Sequence, residues 1–340
     1  MDRSVDRLAA EWDELADRAG ASPFVRPGWI GPWWTAFGAG RLEIVALRSD
    51  GRLAALIPLR RSRGVLAAAA NTHTPLFGLV AEDGDAAAAL ARAVLARRAR
   101  RVSLLYLRPG DVEVFRSAAS AIRRPAAAGY LEASPYVEIR GSWEDFQKGL
   151  DTKLLRDLRR RRRRLDEVGE VPIEVSDGRE GLDGLLDEGF PLESSGWKAE
   201  SGTSILSSPE TQAFYREVAA WAAGRGILRL AFLRVDGRPL AFQLGVEDGG
   251  AYYFMKGGYD PEQRQFAPQK LLVQAVLERA FSSGLESFEF LGEDEAWKLE
   301  WTDGLRRLDL FHAFRPLGLA EWAAVRLGPW KVARVLATRS

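Results

Sequence analysis

Cysteine is absent from the chain, and histidine occurs only at His73 and His312. The first absence removes disulfides, thiolate nucleophiles and cysteine metal sites. The second removes a histidine-rich metal centre and any HExxH site. A GxSxG elbow and a P-loop are also missing. No apolar run reaches the roughly 18 residues of a membrane-spanning helix. The first residues, Met1-Asp2-Arg3-Ser4-Val5-Asp6-Arg7, alternate charge and lack the apolar core of a signal peptide, so a cytoplasmic location is expected. A net charge of +1 gives the molecule as a whole no pull on polyanions. Any chemistry is left to carboxylates, tyrosine, lysine, arginine and backbone amides, without a metal.

What is present is the composition of an ordinary folded protein, 46% hydrophobic and 28% charged over 340 residues, long enough for two domains. One hairpin is spelled twice. Leu47-Arg48-Ser49-Asp50-Gly51-Arg52-Leu53-Ala54 returns as Leu233-Arg234-Val235-Asp236-Gly237-Arg238-Pro239-Leu240-Ala241. Each copy sets an Asp-Gly turn between β-rich apolar runs, and two copies with similar neighbours point to a duplicated unit.

Around each hairpin the pattern runs in the same order. In the first half, helices are predicted over 4–19, 27–37, 86–98 and 112–123, with strands near 42–48, 53–59, 65–70, 102–107 and 136–139. In the second, one helix is predicted over 143–168 and others near 181–193, 209–224, 268–283 and 294–301. Strands are predicted there near 172–175, 227–235, 240–247, 251–257, 287–291 and 305–314. Strands alternating with helices after a hairpin meander define an α/β class with a mixed sheet in each half. The boundary is expected near 140–142, where Ser142 can cap a helix carrying Glu144 and Asp145 in its first turn. That gives a first half 1–140, a second half 141–315 and a helical tail 316–340. The tail is expected to pack on its own domain; a basic amphipathic helix on a membrane surface is the other reading.

The chemistry-bearing stretches fall in the second half: Phe190-Pro191-Leu192-Glu193-Ser194-Ser195-Gly196-Trp197-Lys198, Gly202-Thr203, Phe214-Tyr215-Arg216, Met255-Lys256-Gly257-Gly258-Tyr259-Asp260, Phe288-Glu289-Phe290-Leu291-Gly292, Trp297-Lys298 and Trp301-Thr302. In this order they resemble the GNAT-like acetyltransferase family that includes CelD-type cellulose-biosynthesis proteins. That family is similar to the FemAB peptidyltransferases, which also have two GNAT-like halves. The resemblance implies tandem GNAT-like halves in a FemAB-like arrangement. The first would be a degenerate copy that shapes the acceptor cleft, and the second a catalytic half taking an acyl group from acetyl-CoA or another acyl-CoA. The acceptor would be a small or envelope-related amine or hydroxyl. An aminoacyl-tRNA-dependent ligase is the alternative the FemAB likeness permits.

A donor with a phosphate tail needs an anion cradle. The loop Asp260–Ala267 ends at Pro268, a favoured first helical position, so the N–H groups of Gln269, Lys270 and Leu271 are expected to face the loop. Arg264 and Lys270 can add countercharge. Relatives prefer glycine at this approach, and Gln269 stands there instead. Acyl transfer needs a base, an oxyanion donor and an acid. Candidate bases are Glu193, Asp260 and Glu289. Tyr253 and Tyr259 are candidate acids, with one of Tyr252 and Tyr253 expected in the core. Backbone N–H groups near Tyr253–Met255 can serve the oxyanion. Glu289, between two phenylalanines, must be paired (with Lys256 or Lys298) or bind the acceptor.

Lysine is sparse, so Lys198, Lys256 and Lys298, beside Trp197, Phe254 and Trp297, are candidate acceptor-binding residues together with Trp301. The basic segment Lys153, Arg156 and Arg159–Arg164 is either a solvated face or, through Arg156 and Arg160, a clamp for a phosphorylated partner. A non-catalytic scaffold binding an anionic partner there is the reading outside enzymes.

Overall fold

The computed structural model describes residues 3–195 and 204–315. Its helices and strands in chain order are α1 (Arg3–Arg18), α2 (Pro27–Phe37), β1 (Arg41–Ser49), β2 (Arg52–Ser62), β3 (Val65–Ala68), β4 (Val80–Ala81), α3 (Gly84–Ala96), β5 (Arg101–Leu107), α4 (Pro109–Ala121) and β6 (Ala126–Glu138). Then follow α5 (Trp143–Gly149), α6 (Thr152–Asp166), β7 (Ile173–Ser176), α7 (Leu182–Glu193), α8 (Pro209–Gly224), β8 (Leu228–Val235), β9 (Arg238–Asp248), β10 (Ala251–Tyr259), α9 (Pro268–Ser282), β11 (Ser287–Glu289), α10 (Ala296–Leu299) and β12 (Leu305–Phe314). The chain divides into two compact units, Ser134–Leu305 and the described parts of Met1–Ala133 with Arg306–Ser340.

In the first unit β1, β2 and β3 form an antiparallel meander, β3 runs parallel to β5, and β12 pairs antiparallel with β5. Thus the last strand, which the chain pattern assigns to the second half, is hydrogen-bonded into the first unit's sheet. In the second unit β7, β8, β9 and β10 are antiparallel, β10 runs parallel to β11, and β11 pairs with the end of β6. Each unit therefore holds the mixed sheet of a GNAT-like half, and the chain has a tandem GNAT-like α/β fold.

The repeated hairpins are the same object twice. Asp50 and Gly51 have φ of 50° and 80°, and Asp236 and Gly237 have 47° and 82°, as a type I′ turn demands. The register slips between Leu47 and Arg48 in one and between Leu233 and Arg234 in the other. In each, the arginine after the slip reaches across the turn: Arg48 Nη1 donates to Gly51 O at 2.8 Å and Arg234 Nη1 to Gly237 O at 3.2 Å.

Two expectations change. The helix predicted over 143–168 is broken at Leu150–Asp151, because Asp151 Oδ1 accepts from Lys153 N–H at 2.7 Å and starts α6 afresh. The strand predicted at 136–139 begins as early as Ala126, where an alanine-rich run carries no β signal of its own. The predicted tail, 316–340, lies outside the described residues.

The second unit's core is built from one face of α9 (Leu272, Val273, Val276, Leu277, Ala280) against Tyr252, Phe288 and Phe290 of the sheet and Trp301. That packing holds α9 with its first turn beside β10. A Cβ at Gly237 would meet nothing within 4 Å, so Gly237→Ala tests the turn alone. It is expected to destabilise by about 1 kcal/mol through the left-handed penalty, and Gly51→Ala by a similar amount, read as shifts of the urea unfolding midpoint.

Candidate active site

β10 is the axis of the site. It pairs with β11 only from Ala251 to Tyr253, after which its edge toward β11 is released while β10 continues to Tyr259. On its other edge the pairing with β9 shifts between Phe254 and Lys256, leaving Met255 as a bulge. A bulge resets the alternation of faces. Phe254 and Gly257 consequently share one side, where a Cβ on Gly257 would lie 2.7 Å from the Phe254 ring and 2.8 Å from Gln269 Nε2. Lys256 and Gly258 take the other. A Cβ on Gly258 would lie 2.2 Å from Leu192 O and 2.5 Å from Glu193 Cα, so only glycine lets the end of α7 rest on the strand.

That contact delivers Glu193. It is fully buried, Oε2 accepts from Ile205 N–H at 2.7 Å, and Oε1 faces Lys256 Nζ at 3.7 Å, an ion pair without a direct hydrogen bond. Lys256 Nζ also stands 5.4 Å over the Tyr215 ring. Burial, and secondly the charge of Glu193, push the Tyr215 hydroxyl well above its ordinary pKa, so it stays protonated. Ser195 Oγ lies 2.6 Å from Leu192 O and 2.7 Å from Tyr259 O, tying the end of α7 to the end of β10.

Glu193, Ser195, Phe254, Gly257, Gly258 and Tyr259 form one wall of a cavity of about 470 Å³. Arg264, Ala267, Gln269 and Lys270 form the wall at the start of α9, Glu295 and Trp297 a third, and Asp157 and Arg161 of α6 close it. Burial works to raise the Asp157 carboxyl, but hydrogen bonds from Arg161 and Arg160 outweigh it and hold the group below the usual range. A second cavity of about 720 Å³ shares Asp157 and Lys270 and is lined further by Leu150, Lys153 and Trp301.

The remaining candidates divide. Tyr253 and Glu289 are register partners on β10 and β11, both buried, and neither lines the cavity around Glu193. Glu289 Oε1 accepts from Ser287 Oγ at 2.8 Å, while Lys256 and Lys298 have Glu193 and Glu295 as ion partners. Tyr252 is the core tyrosine, hydrogen-bonded to Gln243 and stacked on Phe288. Asp260 is committed to structure: Oδ1 caps the turn Pro261–Phe266 through Glu262 N–H, and Oδ2 accepts from Arg238 Nη2 at 2.6 Å. Lys298, expected to meet acceptor, is buried and donates to Leu291 O and Glu293 O at 2.6 and 2.9 Å, because the left-handed Leu291-Gly292 turn aims carbonyls at it. Trp301 is a core residue, its Nε1 buried without a partner.

At the start of α9, Pro268 has no N–H, and Lys270 and Leu271 both donate to Ala267 O, at 3.0 and 3.2 Å. Of the expected cradle only the Gln269 N–H is left, and Lys270 Nζ is held by both carboxylate oxygens of Glu300. Leu271 itself is core. On α6, Arg160 pairs with Asp157, and Arg161 also donates to Gln265 O. Arg164 stands 5.7 Å over Phe266. Arg156, Arg159 and Arg163 are exposed. Trp197 and Lys198 lie outside the described residues. Tyr215, Asp157 and Ser195 are the site residues that reasoning from sequence did not assign. Tyr215 stood in a quoted motif, but nothing local marked its closeness to Lys256.

The architecture is that of two GNAT-like α/β halves, the second with an open β10 edge. Residues 152–299 match the family profile described as Acetyltransferase (GNAT) domain. Among solved structures the chain is similar to FemX, with TM-score 0.62 and 12% identity over 94% of this chain and 98% of that one. It is similar to L-PGS from Bacillus licheniformis, with TM-score 0.59 and 12% identity over 94% and 96%. It is also similar to a C-terminal domain (DUF2156) described as that of a lysylphosphatidylglycerol synthetase from Agrobacterium fabrum, with TM-score 0.57 and 14% identity over 94% and 96%. No curated protein matches the chain in sequence. Among the described residues no helix is long and apolar enough to cross a membrane, and no group of three or more acidic or histidine side chains is placed to hold a metal ion.

Gly258→Ala is expected to lift the end of α7 from β10, lowering stability by about 1–3 kcal/mol. It should also detach Glu193 from Lys256, which a fall in the denaturant midpoint together with increased amide exchange at 190–195 would show.

Proposed function

We propose that the second half is an acyltransferase that passes an acyl group from a thioester donor, acetyl-CoA or another acyl-CoA, to an amine or hydroxyl by direct attack. The observation that carries this reading is the cavity itself. The released end of β10, the start of α9, the buried carboxylate of Glu193 and a half-exposed tyrosine meet on its walls, with Lys256 behind Glu193 as its ion partner. The thioester supplies an activated carbonyl; the chain supplies everything else. Glu193 takes the proton that the attacking nitrogen or oxygen sheds, and Lys256 stabilises the carboxylate until it does. Backbone N–H groups on the free edge of β10 beside the Met255 bulge receive the carbonyl oxygen as it becomes negative. Tyr259, at the rim, returns a proton to the departing sulfur. The new C–N or C–O bond thus replaces the C–S bond with protons balanced. Tyr253 and Glu289, on the adjoining ladder, support the strand pair from which the edge diverges.

The acceptor is proposed to be small or envelope-related, with Lys256 and the carboxylates of the cavity meeting its polar groups. A CelD-like role and a cytoplasmic setting belong to the same proposal. An aminoacyl ester of tRNA is the second reading. It is favoured by one observation, the depleted anion cradle at Pro268, and by the fold it shares with FemX and L-PGS.

Isothermal calorimetry separates the two: heat with acetyl-CoA supports the thioester donor, whereas salt-sensitive binding of charged tRNA without it supports the ester. Glu193→Gln is expected to lower turnover at least about 100-fold and to cost about 1–3 kcal/mol by leaving Lys256 without its counter-ion. The double variant Glu193→Gln/Lys256→Met should regain stability and stay inactive, and recovered turnover would remove Glu193 from the chemistry.

A further inference from the structure

Two attractions act on one ammonium behind the cavity wall. Lys256 Nζ lies 3.7 Å from Glu193 Oε1 and 5.4 Å from the centroid of the Tyr215 ring, over which it stands. At 3.7 Å no hydrogen bond joins lysine and carboxylate, although the Glu193 side chain is fully buried and that of Lys256 only 16% exposed. Charge alone would close that gap, since a desolvated ion pair gains from direct, hydrogen-bonded contact. The ring supplies the counter-pull, because the negative face of an aromatic quadrupole attracts a cation held near it. The ring is fixed in turn. It belongs to the buried face of α8 with Thr211, Phe214, Val218 and Ala222, and Phe214 meets it edge-on with centroids 4.9 Å apart. Its hydroxyl stays protonated, so the ring acts through its π face and not through a charge.

The other charged side chains around this pair have partners of their own. On α8 Arg216 pairs with Asp183 and Asp187 of α7, and Glu188 of α7 pairs with Arg234 of β8. Beyond the end of β10, Asp260 pairs with Arg238 of β9. Glu193 itself accepts at Oε2 from Ile205 N–H at 2.7 Å and from Ser194 Oγ at 3.4 Å, which leaves Oε1 turned to the lysine. A carboxylate in direct contact with a cation is held in its charged form and accepts a proton poorly, whereas one with no cation near is pushed by burial to its neutral form. We propose that Tyr215 is a positioning residue that sets the basicity of Glu193 by holding the Lys256 ammonium off the carboxylate. This rests on the reading of Glu193 as the base of acyl transfer.

The test follows the Glu193 carboxyl by carbon-13 NMR titration of the full chain labelled at its glutamate carboxyl carbons, the signal being the one lost in Glu193→Gln. Tyr215→Phe keeps the ring and is expected to titrate at the same pH as the parent. Tyr215→Leu lets the ammonium close on Oε1 and should lower the midpoint by about half a unit or more. A ring-trifluorinated phenylalanine at the same position keeps the packing but removes the negative face, so it should give the same fall even where the leucine variant fails to fold. In a Lys256→Met background neither replacement should move the midpoint. The acidic limb of thiol release from acetyl-CoA, with water as the acceptor, should move to lower pH by the same amount in the leucine and fluorinated variants, and Tyr215→Phe should restore it. A midpoint left in place by the fluorinated ring would overturn the proposal. So would one moved as far by Tyr215→Phe, or a shift that persists without Lys256. If the midpoints move as expected while the parent releases no thiol, the acyl-transfer reading fails and the control of Glu193 by Tyr215 stands.

Discussion

Gly258 has no side chain, and the space one would fill belongs to Leu192 O and Glu193 Cα. The site depends on that close approach. It sets the C-terminal end of α7 on β10 and brings a fully buried carboxylate to Lys256. It also lets Ser195 bridge the end of the helix to the end of the strand. The Met255 bulge is its counterpart along the same strand. Without the slipped register, Phe254, Lys256 and Gly258 would share a face. With it, the strand presents an apolar wall with Gly257 to Gln269 and a lysine to Glu193. One extra residue in a ladder thereby separates the polar and apolar sides of the cavity.

The duplicated architecture leaves the two halves alike at their hairpins and different at their helix starts. Both hairpins retain the type I′ turn, the register slip and the arginine that braces it. The helix starts differ. In the first unit Asp83 caps α3 by accepting from Ala86 N–H at 2.8 Å, so a carboxylate already occupies the place where an anion would sit. In the second unit α9 has no side-chain cap: Ala267 is left-handed and Pro268 opens the helix. The second start is therefore the open one, yet its amides are largely closed onto Ala267 O. Of the N–H groups of Gln269, Lys270 and Leu271, only that of Gln269 is not turned onto Ala267 O.

Much of the fold could be read from the chain because the signals were local. Asp-Gly between β-rich runs, the stripe of Leu272, Val276 and Ala280 on α9, and Pro at helix starts all act within a few residues of themselves. The errors came where a signal was weak or shared. Ala126–Ala128 carries no β preference and is a strand only because it has neighbours to pair with. The strand after α10 reads as the close of the second half, yet its hydrogen bonds go to β5 in the first unit. Of the residues singled out from sequence, Glu193, Tyr259, Arg264, Gln269 and Lys270 line one cavity, and each stands in a motif near a glycine or proline.

The sequence by itself determined the absence of cysteine chemistry, the repeated hairpin and the α/β order, because composition and periodicity are properties of the chain. It did not determine what each polar side chain touches. Lys298 and Lys256 look alike in sequence, but one is consumed by loop carbonyls and the other faces Glu193. Asp260 and Glu193 are both acids beside motif glycines, and only one is left uncommitted to a turn. The Lys256 assignment depends on Glu193, far away in the chain and brought to 3.7 Å where the bare backbone of Gly258 lets α7 rest on β10, and the Lys298 assignment on the turn that aims the Leu291 and Glu293 carbonyls at it. Folding, and not spacing along the chain, decides them.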